Sequence, residues 1–293
     1  MRFAVISGRA KIVRDGRAFD VADHSDGNFG PAPLSVYDDW ERFRSWADAA
    51  ALTGGVPFDP DEADAPSPAP RQIFAIGLNY RMHQIEAGFP APTEPMVFTK
   101  YVSSVAGPIG DLTLFTDQVD WEVEAAVVMG ATAYRVSEAD AWSYVAGITA
   151  AQDYSARDVQ MRPAGTPQFS LGKSFPGFTP MGPALVTPDE FDDPDDIRVR
   201  TEINDVVVQE STTADLIFPV AELIAYLSGV LPLLPGDVIL TGTPSGVGLG
   251  RTPPSYLAPG DRVVTTVGEQ TMRHLAVGPI AAHRLPGSTE QRP

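Results

Sequence analysis

The stretch VDWEVEAAVV, residues 119–128, puts Asp120, Glu122 and Glu124 at every second position just before an apolar run. A β-strand sends alternate side chains to opposite faces. A strand here therefore lines one face with three carboxylates, their Cα atoms roughly 7 Å apart, and the other with Trp121, Val123, Ala125 and Val127. An exposed strand face is the ordinary setting for an E-x-E pair. The apolar run points instead to a strand entering a core, where clustered carboxylates need protons or a cation between them. A hard divalent ion (Mg²⁺, Mn²⁺ or Ca²⁺) suits such oxygens, and would need further oxygen ligands from elsewhere in the chain.

Outward from this strand, residues 73–284 are dominated by short β-like runs: IFAIGL, PMVFTKY, AAVVMGA, PALVT, IRVRTEI, DVVVQ, DVILTG and DRVVTTV. Helical signals are fewer, chiefly EADAWSYVAG, SARDVQMR and VAELIAYLSG. Two PGD turns, Pro235–Asp237 and Pro259–Asp261, mark sharp entries into strands. The pattern predicts an α+β, β-rich roll or sandwich and excludes a doubly wound α/β sheet. Residues 1–57 read as a small N-terminal α/β unit, with a strand in MRFAVISG and a helix in YDDWERFRSWADAAAL. Residues 58–72, rich in Pro, Asp and Ala, read as a linker, and residues 285–293 as a disordered tail.

The chain has 293 residues and 43% hydrophobic content, enough for a sizeable core. Its 38 acidic against 21 basic residues give a net charge of −17, which repels nucleic acid and anionic lipid and argues against both as partners. The absence of cysteine excludes disulfides, thiol nucleophiles and cysteine-ligated zinc. MRFAVISGRAK lacks a sustained apolar region, and Pro232 and Pro235 interrupt the most apolar segment. No secretory leader or membrane span is expected, and the expected location is cytoplasmic.

Four further segments carry chemistry-bearing residues. In ITAAQDYSARDVQ the S-x-x-D spacing of Ser155 and Asp158 predicts a helix starting at Ser155, with Asp153 on the loop before it. Asp153 is then a ligand, an alternative N-cap or a partner of Arg157. In GLNYRMHQIEAG, His83 and Glu86 share a face of a helical turn, which is a way to hold a histidine as a base, although taken alone an H-x-x-E pair is more often a plain surface pair. The flanking Gly77, Gly88 and Pro90 suit a mobile lid. Lys173, in LGKSFPGFTPMGP, lies in an apolar run where a cation needs an anionic partner. Lys100, in PMVFTKY, is similar, and read by itself it is a structural partner of a carboxylate. TGTPSGVGLG, residues 241–250, is a Gly-rich loop without the Gly-Lys-Ser/Thr ending of a phosphate-binding loop. Its amides and the hydroxyls of Thr241, Thr243 and Ser245 can hold a carboxylate, or the segment is a bare turn.

Together these motifs, with NDVVVQESTTADLIF, PGDVILTGTPSGVG and YLAPGDRVV, make residues 73 to about 278 resemble the fumarylacetoacetate hydrolase family, its acylpyruvase-like bacterial members in particular. The resemblance implies a mixed β-sandwich roll and a homodimer. It implies Glu122, Glu124 and Asp153 as ligands of Mg²⁺ or Mn²⁺, His83 and Glu86 as a water-activating lid dyad, and Lys173 as the active-site lysine. Gln160 and Thr243 match substrate contacts, and Tyr80 and Lys100 are grouped with them. Two departures stand out: Pro176 where relatives often have Asp, and Asn204-Asp205 for the usual Asn-Gly turn.

The activity this implies is hydrolytic C–C cleavage of a β-diketo acid, an acylpyruvate or fumarylpyruvate, to pyruvate and a carboxylic acid. The same site chemistry equally serves decarboxylation of oxaloacetate, or isomerisation or dehydration of a 2-oxo acid. A non-catalytic ligand-binding role is the remaining alternative.

Overall fold

The computed structural model describes residues 1–163 and 165–278. The strand of the opening stretch is Val123–Met129, with all seven residues buried. Val145–Gln152 flanks it antiparallel on one side and Val238–Leu240 on the other. These belong to a 12-stranded sheet that continues through Thr179–Val186 in one direction and Ile73–Gly77 and Met96–Thr99 in the other. Only Val238–Leu240 with Ile73–Gly77 is a parallel pairing among these neighbours.

Both faces of this strand are covered, which is why its residues read as an unbroken apolar run. Val123, Ala125, Val127 and Met129 pack with Leu223, Ile224 and Leu227 of the helix Val220–Val230, and with Val199, Val267 and Met272 of a second, five-stranded sheet. Ala126 and Val128 face the other way, against Phe3, Trp40 and Leu185. The mixed sheet-rich architecture with few helices is the expected one.

Strands Arg2–Ile6, Arg9–Arg14 and Arg17–Asp20 extend the same large sheet, joined to it through Arg2↔Val186 and Phe3↔Leu185. The helix Trp40–Ala49 folds its Trp40, Phe43 and Ala47 face onto Phe3, as its apolar spacing predicts. Residues 58–72 contain a strand, Ala63–Asp64, paired with Val5 and Ile6, and they bury Ala65 and Ser67. The tail, residues 285–293, and the last residues of the 73–284 segment lie outside the described residues. No helix among the described residues is long and apolar enough to cross a membrane.

Three local expectations need correction or refinement. The helix expected to start at Ser155 is Arg157–Gln160, without a side-chain cap; the Ser155 hydroxyl instead donates to the carbonyl of Asp153 at 3.0 Å. EADAWSYVAG splits into a 3-10 helix, Glu138–Tyr144, and the start of the strand Val145–Gln152, because β-branched and small residues there fill a two-sided core. Asn204-Asp205 does form the two-residue hairpin, with both φ angles positive at 51° and 67°.

Candidate active site

The regular pairing of the opening stretch breaks at Trp121–Glu122. Val119–Asp120 pairs with Ser155–Ala156 in a small separate ladder, while Val123 onward pairs with the strand ending at Gln152. The break is bridged by Gln152 and Gln209, whose side-chain oxygens accept from the amides of Glu122 (2.8 Å) and Val123 (3.0 Å). Asp153 N–H donates to the Glu122 carbonyl at 2.9 Å, which sets the two residues side by side. One carboxylate oxygen from each of Glu122, Glu124 and Asp153 thus falls within 4.8 Å of the others, all three residues buried. Asp120, on the same face by alternation, is diverted elsewhere.

Three cations surround the carboxylates. Lys173 Nζ bridges Glu122 Oε2 at 2.5 Å and Asp153 Oδ2 at 2.6 Å. Lys100 Nζ binds Asp153 Oδ1 and the carbonyl of Phe178, and its side chain is wholly buried. Arg157 grips Glu122 Oε1 at 2.6 Å, Asp120 Oδ2 at 2.8 Å and Gln160 Oε1 at 2.9 Å. Arg157 therefore pairs with Glu122 and Asp120, not with Asp153.

Charge is unevenly settled among these groups. Burial would raise the Glu122 carboxyl, but the Lys173 ammonium and Arg157 guanidinium outweigh it and hold it down to about 2. Burial pushes Glu124 well above the usual carboxylate range, and the charges of Asp153 and Glu122 push it further. Its hydrogen-bond donor is the Gly242 amide at 2.7 Å, and it pairs with no cation at salt-bridge distance among the described residues. Burial opposes the Lys173 charge, yet Asp153 and Glu122 raise its pKa; for Lys100, burial wins and lowers it. Four carboxylates (Asp120, Glu122, Glu124, Asp153) face three cations, so Glu124, the carboxyl without a cationic partner among the described residues, calls for a proton or a bound cation. An all-oxygen donor set with one carboxyl unmatched by any cation fits a hard divalent ion, and Glu122, Glu124 and Asp153 are the residues that would hold it.

Glu122 and Glu124 of the triad line a cavity of 620 Å³, with Asp153 buried behind them. On its wall the helix Arg81–Glu86 carries the dyad: His83 Nδ1 lies 2.9 Å from Glu86 Oε2. Glu86 Oε1 accepts from the Gly246 amide at 2.9 Å. Burial would raise the Glu86 carboxyl, but these two bonds lower it overall, so it is an acceptor. His83 Nδ1 must then carry the proton, and Nε2 is left as the basic nitrogen. Asn79 fixes the entry to this helix, donating to the carbonyls of Phe218 (3.0 Å) and Thr241 (2.8 Å). Gly242, with φ +109°, lies so close that a Cβ there would meet Asn79 Cβ at 2.8 Å.

Gln160, Thr243 and Lys173 line the same cavity as the dyad and the triad's two glutamates. Thr243 Oγ1 accepts from Gln209 Nε2 at 2.8 Å. Thr241 is used structurally, donating to the Ala125 carbonyl at 2.9 Å. Tyr80 and Lys100 do not line the cavity. Tyr80 is 1% exposed within the core, because it stands just before the helix Arg81–Glu86 on the side bridged to Leu216. Lys100 sits behind Asp153, in the structural role its own sequence context favoured.

The sequence reading missed Arg157 as a cavity residue, Arg251 at the cavity wall, and the apolar lining of Met96, Phe98, Met161 and Phe169. Phe98 had a signal, since its strand was legible, and Lys173 Nζ lies 5.2 Å from its ring centroid.

Three clustered carboxylates, a buried ammonium beside them and a histidine–carboxylate pair thus stand around one cavity. The family model described as "Fumarylacetoacetate (FAA) hydrolase C-terminal" matches residues 72–278, and the chain belongs to that family. A human mitochondrial oxaloacetate tautomerase is 44% identical over 207 residues, 70% of this chain and 66% of that one, so the match spans just under two thirds of the relative. A Mycobacterium smegmatis structure bearing the name HpcE superposes with a TM-score of 0.91 at 47% identity, covering 95% of this chain and 99% of that chain. Maleylpyruvate hydrolase from Sphingobium sp. SYK-6, in complex with manganese(II) and pyruvate, matches with a TM-score of 0.77 at 26% identity, over 95% of this chain and 100% of that one.

Proposed function

We propose that the chain moves a proton at the enolisable carbon of a 2-oxo diacid of the oxaloacetate class, interconverting its keto and enol forms. The observation that carries this reading is the His83–Glu86 pair on the wall of the cavity that holds the carboxylates. Proton transfer needs one positioned base that can also return the proton, and the dyad is one. His83 Nε2 takes the proton from the carbon between the two carbonyls, and the electron pair moves onto the 2-oxo oxygen. Glu86 steadies the imidazolium that forms, and His83 then returns the proton to that oxygen. A divalent cation held by Glu122, Glu124 and Asp153, Mg²⁺ or Mn²⁺, would supply Lewis acidity toward the enolate. Lys173, kept charged by its two carboxylates, adds a fixed positive charge beside it. The tautomerase name of the 44% identical relative, and pyruvate with manganese in the maleylpyruvate hydrolase structure, support the substrate class.

Hydrolytic cleavage of an acylpyruvate, the activity the resemblance put first, is the second reading. The 620 Å³ volume and the apolar wall of Met96, Phe98, Met161 and Phe169 favour it, since they accommodate more than a four-carbon diacid. In that reading His83 takes its proton from water.

The test follows the ultraviolet decay of enol-oxaloacetate, with pyruvate release from oxaloacetate, acetylpyruvate and fumarylpyruvate assayed alongside. Accelerated ketonisation without pyruvate, lost in His83→Ala, is the expected result. Pyruvate from the diketo acids without accelerated ketonisation would replace the first reading with the second, and pyruvate from oxaloacetate alone would establish a decarboxylase.

A further inference from the structure

Among the described residues four basic side chains line the cavity: His83, Arg157, Lys173 and Arg251. The first three are committed, to Glu86, to Asp120 and Glu122, and to Glu122 and Asp153 respectively. Arg251 is not. Its contacts are two long hydrogen bonds to backbone carbonyls, Gly246 at 3.3 Å and Val208 at 3.4 Å, and it makes no salt bridge among the described residues. Its guanidinium lies 5.4 Å from the centroid of the Trp121 ring, a flat platform that limits how it can turn.

The position of this cation is built, although the side chain is exposed. Asp120, the carboxylate that left the triad, accepts from the amides of Gly248 (2.6 Å) and Leu249 (2.9 Å) and from Arg157. It thereby ties the loop carrying Arg251 to the residue that grips Glu122. Gly250 closes the loop onto the dyad, with Glu86 Cδ 2.7 Å from where a Cβ would stand. Arg251 therefore leaves the loop one residue beyond a fixed contact with the acid–base pair, in a chain whose net charge is −17.

We propose that Arg251 reads a second carboxylate on the substrate, and so selects dicarboxylic over monocarboxylic 2-oxo acids. A guanidinium offers planar paired donors that match a carboxylate in two parallel hydrogen bonds; this one is held in no salt bridge among the described residues, its charge reaching Glu86 only from a distance. The inference deepens the function proposed above and rests on it for placing the 2-oxo end at the triad.

Two unreactive probes of equal carbon count separate the alternatives: 2-oxoglutarate and 2-oxopentanoate, which differ in the terminal carboxylate. Their binding to the full chain with Mg²⁺ or Mn²⁺ is measured by calorimetry for wild type, Arg251→Ala and Arg251→Lys. Wild type is expected to prefer the diacid, and Arg251→Ala to lose roughly ten- to hundredfold on the diacid alone, the range for a hydrogen bond to a charged group. Arg251→Lys, which keeps the charge but not the fork, should fall between. Equal wild-type affinity for the two acids, or equal weakening of both in Arg251→Ala, overturns the proposal while leaving the 2-oxo acid reading intact. A wild type that binds neither acid overturns both together.

Discussion

Gly250→Ala tests the positioning of the base through the contact of its loop with Glu86. Gly250 is outside the left-handed region, so alanine fits its backbone without strain. The added Cβ would stand 2.7 Å from Glu86 Cδ and Cγ and 2.9 Å from Oε1, where ordinary contact begins at 3.4 Å. Glu86 must withdraw by well over half an ångström, and its two 2.9 Å bonds, to His83 and to the Gly246 amide, cannot both survive that. The carboxylate is the free end of a flexible side chain, so folding should change by no more than about 1 kcal/mol. A base displaced on this scale is expected to lose about 10- to 100-fold in kcat, roughly 1.4–2.7 kcal/mol of barrier. The assay is ketonisation kcat beside a urea unfolding curve, with Glu86→Ala and the double variant completing a cycle. The double variant should be no slower than Glu86→Ala, because the added methyl then has nothing to push. Wild-type kcat in Gly250→Ala, or full additivity in the double variant, would refute the reasoning.

Added Mg²⁺ or Mn²⁺ should raise the melting temperature and chelator reverse it, with about 2.7 kcal/mol gained at a hundredfold excess over Kd; Glu124→Gln should remove most of that shift. Lys173→Met strips the ammonium from two buried carboxylates and should destabilise the metal-free protein by about 3–5 kcal/mol. Its metal-induced thermal shift should exceed the wild type's, and an equal shift would contradict the pairing described. Burial lowers the His274 pKa to about 4, against a Gly107 carbonyl that raises it, so the folded state refuses a proton that the unfolded chain accepts. Its stabilising effect is complete above the unfolded pKa of about 6.5 and declines as pH falls toward 4, by about 3 kcal/mol in all. Urea midpoints of wild type and His274→Gln across that window should converge toward low pH if this sign is right.

The strands were legible because Val, Ile and Thr runs bounded by Gly, Pro and Asp keep their character whatever packs on them. The His83–Glu86 pair was equally legible, its partners being three residues apart. Arg157 was not: its anions lie 35 and 37 residues upstream, so local spacing offered only Asp153. The S-x-x-D spacing at Ser155 misleads for a related reason. A capping hydroxyl works only if the helix begins beside it, and here the residue is drawn into a two-residue ladder with Asp120. Strict alternation likewise put Asp120 with the two glutamates, although the pairing break at Trp121 sends it to the Gly-rich loop. Nothing in a composition rich in Pro and Asp announces that Ala63–Asp64 will find Val5 and Ile6.

That last pairing bears on how the chain is made. The edge of Arg2–Ile6 waits for Thr179–Val186, a partner translated well over a hundred residues later. At about 5–20 residues per second on the ribosome, the wait is on the order of ten seconds. An open strand edge that long is an invitation to pair with another nascent chain. Ala63–Asp64 emerges early and occupies the Val5–Ile6 half of that edge, leaving only Arg2 and Phe3 to be closed by the late strand. A segment that reads as a spacer thus shortens the stretch of strand edge left for the late strand to close.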